Sequence, residues 1–293
     1  MVKQKDKEIS KEALERADSI DAEILKVVDA EANFIVEAGA GSGKTYSLEK
    51  VVDWLQRNRA YEYMRHGRKI ACITFTNAAV EVIKSRLPND SVIIPSTIHA
   101  FAWNAIKDFQ FKLCQLANIE LKLDNQIQLP FDSVMYTLGH RYVEDGILYL
   151  YHDDVIKLFS AMLDNARFRT IFQSQYPVIL IDEYQDTAKI IVDKFLEYFI
   201  NRKTGPQFGF FGDSWQTIYG GNGACGKIDS DEIKMISKVV NFRSSSAVVD
   251  FLNHLRPDEK QMSSETERSG DVYIVHCNDF PLNERIEIGR AHV

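Results

Sequence analysis

The sequence predicts an α/β fold, an open parallel sheet with helices packed on its faces. Three observations point there. Short apolar runs bounded by turn residues recur along the chain, and amphipathic stretches of helical period follow them. A glycine-rich turn ending in Lys-Thr links the first such run to the first such helix.

Residues 33–37 (NFIVE) read as a buried strand, and the helix after the glycine-rich turn carries Leu48, Val51, Val52 and Leu55 on one face. Residues 69–75 (KIACITF) form a second strand, followed by a helix with Val80, Ile83 and Leu87 inward. Residues 91–94 form a short third strand. Residues 177–181 (PVILI) and 207–211 (QFGFF) are two more, separated by a helix carrying Ile191, Phe195 and Phe199. Between 97 and 176 the rhythm changes to Phe, Leu, Lys and Asp at helical spacing with no convincing strand, which predicts a helical insertion. Near Gly226 a second unit is expected, with a short strand at 238–240, a helix carrying Val248, Phe251, Leu252 and Leu255, and a strand at 271–275. The expected domains are therefore 1–100 with 170–225, an inserted helical subdomain at 101–169, and the start of a second α/β domain at 226–287, too short to close.

With 45% hydrophobic and 26% charged residues, the 293-residue chain can bury a sizeable core, which sets aside disordered and fibrous classes. There is no run of about eighteen apolar residues. Residues 1–16 lack the apolar stretch of a secretion signal, so a cytoplasmic location without a membrane partner is expected. The 35 basic and 42 acidic residues leave a net charge of -7, which argues against coating nucleic acid through bulk charge but leaves a local phosphate-tracking groove open. Cys72, Cys114, Cys225 and Cys277 are scattered and read as reduced thiols, not as a disulfide frame or a metal site.

The strongest single pattern is Ala38-Gly39-Ala40-Gly41-Ser42-Gly43-Lys44-Thr45 between a strand and a helix, the context a phosphate-binding P-loop needs. Its glycines let backbone N–H groups curl around phosphate oxygens, and the helix N-terminus adds favourable partial charge. Lys44 is expected to reach the β- and γ-phosphates of ATP, and the Thr45 hydroxyl to ligate Mg²⁺. Ala38 stands where the pattern has its first glycine.

The second pattern is Asp182-Glu183 at the end of PVILI. Carboxylates at a strand's carboxyl end lie beside the phosphate turn in an open α/β sheet. Asp182 is expected to hold Mg²⁺, and Glu183 to orient or deprotonate the attacking water. Acidic pairs also cap strands or begin helices, but the apolar run before this one and the P-loop upstream favour the catalytic reading.

Residues 38–45, 74–77 (TFTN), 97–99 (TIH), 182–187 (DEYQDT), 212–219 (GDSWQTIY) and 241–244 (NFRS) resemble, in this order, helicase motifs I, Ia, Ib, II, III and IV of the UvrD/Rep group of superfamily one. The resemblance runs from about residue 21 to 256. It implies two RecA-like domains with ATP between them and single-stranded DNA or a DNA junction across their top, the protein stepping usually 3′ to 5′. It further implies that Gln216 senses the γ-phosphate and that Arg243 reaches it from the second domain. Phe75, Thr76, Asn77, His99 and Tyr219 match positions lining the DNA path. Plainer readings stay open: Phe75 or Tyr219 as core packing, Thr76 and Asn77 as helix caps, His99 as a structural hydrogen-bonder. Trp103 and Trp215 read as core or scaffolding.

Three departures from the family pattern stand out. Glu23 occupies the place of a glutamine that reads adenine, and an ionised carboxylate cannot donate a hydrogen bond, so nucleotide preference is open. Gly221 and Asn222 stand where a tryptophan and an arginine commonly follow motif III. Motifs V and VI are not found. An arginine finger contributes roughly a thousandfold or more to related phosphoryl transfers, so weak ATP hydrolysis and no unwinding are expected of the chain as it stands. Residues 288–293 (IGRAHV) match a sequencing adapter read in one frame and are expected to be foreign to the natural protein.

The leading functional expectation is thus an ATP-driven DNA translocase in repair or defence. Its competitor is a helicase-fold sensor of nucleotide or DNA that controls a partner nuclease without unwinding. A GTPase is disfavoured, because no guanine-reading Asn-Lys-x-Asp occurs.

Overall fold

The apolar runs become strands covered on both faces, as a parallel sheet between helices requires. The structure, a computed structural model, describes residues 9–121, 130–137, 139–217, 223–257, 260–267 and 269–272. The chain begins with α1 (Lys11–Asp29), capped where the Ser10 hydroxyl accepts from the Ala13 amide, and enters β1 (Phe34–Ala38). There follow α2 (Lys44–Asn58), α3 (Ala60–Arg65), β2 (Ile70–Thr74), α4 (Asn77–Lys84), β3 (Ile93–Thr97), α5 (Ile98–Ile106) and α6 (Gln110–Glu120). Three short strands come next, β4 (Ser133–Tyr136), β5 (Tyr142–Glu144) and β6 (Ile147–Leu150), then α7 (His152–Leu163) and α8 (Ala166–Gln175). The rest is β7 (Val178–Asp182), α9 (Lys189–Phe195), β8 (Gln207–Gly212), β9 (Lys234–Lys238), β10 (Val240–Asn241), α10 (Ser246–Leu255) and β11 (Met262–Ser263).

The central sheet has six parallel strands in the order β3-β2-β7-β8-β1-β9. Alternate residues serve opposite faces, the period of an extended strand. Phe34, Val36, Ile70, Cys72, Val178 and Leu180 face a layer built from α1, α2 and α3. Ile35, Ala71, Ile73, Ile179, Ile181, Phe208 and Phe210 face a layer built from α5 to α9. The apolar face expected for α2 is buried at Leu48, Val51, Val52 and Leu55. The chain leaves β1 for β2, three strands away, so a crevice opens at the carboxyl ends of β1, β8 and β7, where open α/β sheets place their ligands.

Three elements depart from the sequence reading. The third strand lies at 93–97, not 91–94; it is an edge strand, so Pro95 costs no hydrogen bond on its open side. The insertion is not wholly helical: β4, β6 and β5 form a small sheet, braced by the stacked rings of Tyr142 and Tyr149 at 4.5 Å. These strands are three or four residues long and half exposed, too short to show a period. The segment beyond Gly226 first returns to the central sheet, because β9 pairs with β1 from Phe34↔Lys234 to Ala38↔Lys238. Its polar KMISK composition hides it, since only one side of this edge strand is paired. A single residue, Val239, then separates β9 from β10, which pairs in parallel with β11. The strand expected at 271–275 lies mostly outside the described residues, as do residues 288–293 entirely. Among the described residues no helix is long and apolar enough to cross a membrane.

Candidate nucleotide site

β1 ends at Ala38, and the turn that follows curls back before α2 begins at Lys44. Gly41 and Gly43 both take φ of +79°, a conformation that side chains resist. At Gly41 space is short as well: a Cβ there would lie 2.6 Å from the Asn241 amide oxygen and from Arg243 Cβ. The Ser42 hydroxyl donates to the Gly39 carbonyl at 2.7 Å and closes the turn. Thr45 is exposed on the first turn of α2.

β7 brings the two acids to the same place. The Lys44 ammonium donates to Glu183 in a short ion pair. Glu183 itself has φ of +50°, which turns the chain sharply at the strand end and directs its carboxylate back toward the turn. The buried Oδ1 of Asp182 has no hydrogen-bond partner. Burial pushes the Asp182 carboxyl up to about 6 against the pull of Lys44, with the Glu183 charge adding to the rise. The unsatisfied carboxylate oxygen at the end of β7 and the exposed threonine hydroxyl on the first turn of α2 are hard oxygen donors of the kind a small divalent cation takes. Asp182 and Thr45 are the residues that fit it.

Hydrogen bonds tie this corner to the GDSWQ segment. Gln185 Nε2 donates to Glu183 Oε2 at 2.9 Å, and Gln185 Oε1 accepts from the Asp213 amide at 3.2 Å. Buried Asp213 accepts from the Gln216 amide at 2.5 Å and from Arg256 Nη1 at 2.9 Å, both on Oδ2. Gln216 is exposed beside the crevice. The NFRS segment docks on the backbone of the phosphate turn. Phe242 N donates to the Gly41 carbonyl at 2.9 Å, Asn241 Nδ2 donates to the Ala40 carbonyl at 2.8 Å, and Asn241 Oδ1 accepts from the amide of Arg243. Arg243 is therefore within the site, its side chain exposed.

Not every expected residue arrives there. Glu23 pairs with Lys234 at 2.8 Å. Lys234 is level with Phe34 at the far end of β1, four residues below Ala38, roughly 13 Å at strand rise. Position along α1 decides this, because the helix runs down the sheet and Asp21, not Glu23, faces α2. Phe75, Thr76 and Asn77 are exposed at the carboxyl end of β2, with the Thr76 hydroxyl accepting from the Ala79 amide as the cap of α4. His99 lies in the first turn of α5, its ring 4.9 Å from that of His152, and burial, with the neighbouring His152, holds its pKa below the ordinary value. Trp103 is half-buried against the core, whereas Trp215 is exposed. Tyr219, with Gly221 and Asn222, lies outside the described residues.

Sequence reasoning missed a buried cluster under the phosphate helix. Asp21 accepts from Ser47 at 2.5 Å, Lys50 at 2.9 Å and Lys238 at 2.9 Å. Burial alone would raise the Asp21 carboxyl, but these three donors together hold it below its ordinary value. Its members come from α1, α2 and β9, and no local pattern announces such a meeting. Tyr46 was missed too; it is exposed in the first turn of α2, with the Lys50 ammonium 4.5 Å from its ring centroid.

A phosphate-cradling turn after the first strand of a parallel sheet, with a lysine answered by an acid from the end of the next strand but one, defines a P-loop protein. The family model described as AAA domain matches residues 21–222, and the chain belongs to that family within the superfamily-one helicases of UvrD/Rep type. It is 27% identical to the Gabija protein GajB of Bacillus cereus (strain HuB5-5), over 85% of this chain and 50% of that protein. It is 25% identical to the ATP-dependent DNA helicase Rep of Escherichia coli (strain K12), over 84% of this chain and 45% of that protein. A crystal structure of the Pif1 helicase from Candida albicans aligns with a TM-score of 0.42 and 17% identity, over 81% of this chain and 43% of that one. The chain spans about half the length of the curated relatives it matches.

Proposed function

We propose that this chain carries the ATP site of a cytoplasmic motor that moves 3′ to 5′ on single-stranded DNA or at DNA junctions. The observation behind this reading is the Lys44–Glu183 ion pair beside the unpartnered Asp182 oxygen, on a turn built to receive phosphate. A triphosphate on that turn offers Lys44 phosphate oxygens in place of the Glu183 carboxylate. Glu183, still held by Gln185, is then free to take the proton of the attacking water. Thr45 and Asp182 would hold Mg²⁺, which would supply neutralisation of the charge that builds on the phosphate oxygens. Gln216, held by Asp213, and Arg243, on the segment docked against the phosphate turn, would contact the γ-phosphate. Phe75, Thr76 and Asn77, exposed at the end of β2, and the half-buried His99 at the start of α5 lie on the same edge of the sheet and offer the DNA a rim there.

Calorimetric titration with Mg²⁺ and ATPγS tests the site. Lys44→Ala is expected to weaken binding by about thirtyfold or more, the usual result of truncating one member of a hydrogen-bonded charge pair. Glu183→Gln keeps binding and loses turnover. Equal affinity in the unchanged chain and Lys44→Ala would overturn the assignment. Strand displacement confined to duplexes with 5′ tails would overturn the direction.

A further inference from the structure

The GDSWQ segment is held from a side that no helicase motif covers. Asp213 is 1% exposed, and Arg256, at the carboxyl end of α10 and outside every motif, reaches it across 43 residues of chain. A cation suits a helix carboxyl end, so the residue type and the place agree. One oxygen of Asp213 accepts from the Trp215 amide at 3.0 Å and shapes the turn. The other is shared by the Gln216 amide and Arg256. The guanidinium also lies 5.5 Å over the Trp215 ring, which fixes its direction. Arg256 also lines a cavity of about 190 Å³ together with Glu37 of β1 and Gly39 of the phosphate turn.

A buried carboxylate needs a compensating charge, and Arg256 is the cation given to this one. Without it, the buried Asp213 carboxylate keeps neutral donors alone, and the oxygen that orients the Gln216 amide loses the cation that holds it in place. The same aspartate donates its backbone amide to Gln185, which donates to Glu183, which pairs with Lys44. A continuous hydrogen-bonded path thus runs from the end of α10 to the P-loop lysine. We propose that Arg256 is a positioning residue of the nucleotide site, setting the orientation of Gln216 through the carboxylate of Asp213 that the two share. This rests on the ATP reading above and adds to it a residue that touches no nucleotide.

The test uses Trp215 as the reporter. Changing Trp54 and Trp103 to phenylalanine in the 293-residue chain leaves one of its three indoles. Binding of Mg²⁺ with ATPγS is followed by calorimetry and by Trp215 emission. The reference chain is expected to change its emission on saturation. Arg256→Ala binds within about threefold of the reference, because the lost group is not a nucleotide contact, and loses the emission change. Arg256→Lys, which keeps the charge, restores most of it, and Arg256→Met, which keeps only the stem, does not. If Arg256→Ala fails to fold, the lysine and methionine variants decide the matter between them. An emission change that persists in Arg256→Met, or that lysine fails to restore at an unchanged melting temperature, overturns the positioning role. Calorimetric binding with no Trp215 response in the reference chain overturns it as well. No calorimetric binding at all overturns the ATP reading instead.

Discussion

The carboxyl ends of β1 and β7 and those of β2 and β3 lie on one edge of one sheet, yet their polar groups are satisfied in opposite ways. At the phosphate turn the partners are far apart in sequence: Lys44 and Glu183 by 139 residues, Asn241 and Ala40 by 201, Lys238 and Asp21 by 217. At the other pair of strand ends they are neighbours. Thr76 caps Ala79 and Thr97 caps Ala100, three residues on in each case. Distant partners make the first corner rigid and cooperative, because each side chain there holds two or more elements in place. Local caps leave the second corner open to a ligand and let a change there stay where it is made.

That contrast can be broken at either end. The largest effect is expected from Lys238→Met, which removes one cation from a buried carboxylate. Lys50 stays behind as a partner of Asp21, so about 2–3 kcal/mol of stability is lost, below the range for stripping such a pair completely, as urea unfolding would measure. Gly41→Ala follows, with an unfavourable φ and a clash against Asn241 costing about 2 kcal/mol, and nucleotide affinity falls with it. Thr76→Ala at the local corner costs about 1 kcal/mol as a lost cap and leaves nucleotide affinity unchanged; a matching loss of ATPγS binding would show that the two corners are coupled after all.

The smallest effect is a pH dependence at His99. Its folded pKa lies below the unfolded value near 6.5, so the unfolded chain takes up the proton first. The stability it contributes is complete above that value and is lost as pH falls toward the folded pKa. The melting temperature should therefore drop more between pH 7 and pH 5 for the unchanged chain than for His99→Gln. Equal drops would place the acid sensitivity elsewhere.

Much of the first corner was legible because its chemistry is written in short runs. Glycines at 39, 41 and 43 followed by Lys44, and an acidic pair after four apolar residues, each carry their meaning locally. Four of the six central strands were legible for the same reason, since burial on both faces leaves an apolar run, and edge strand β3 was legible only with its bounds displaced. The sixth was not, because β9 is an edge and its residues alternate between core and solvent. The Asp21 cluster and Arg256 were invisible for a different reason: each is a single charged residue whose partner is chosen by topology alone. Glu23 shows the converse. A position matched by spacing within one helix still ends beside Lys234, because helix phase and length decide which residue reaches the turn.

One feature of the chain's path limits how this protein can move. Only Val239 lies between β9, locked in register with β1, and β10, whose Asn241 grips the phosphate turn. One residue supplies two soft torsions and almost no slack. Sliding the part bearing Arg243 along the sheet would therefore pull β9 out of register with β1, whereas turning it about Val239 would not. An angular displacement about that point would shift α10, farther along the chain, more than the Asn241 contact beside the turn.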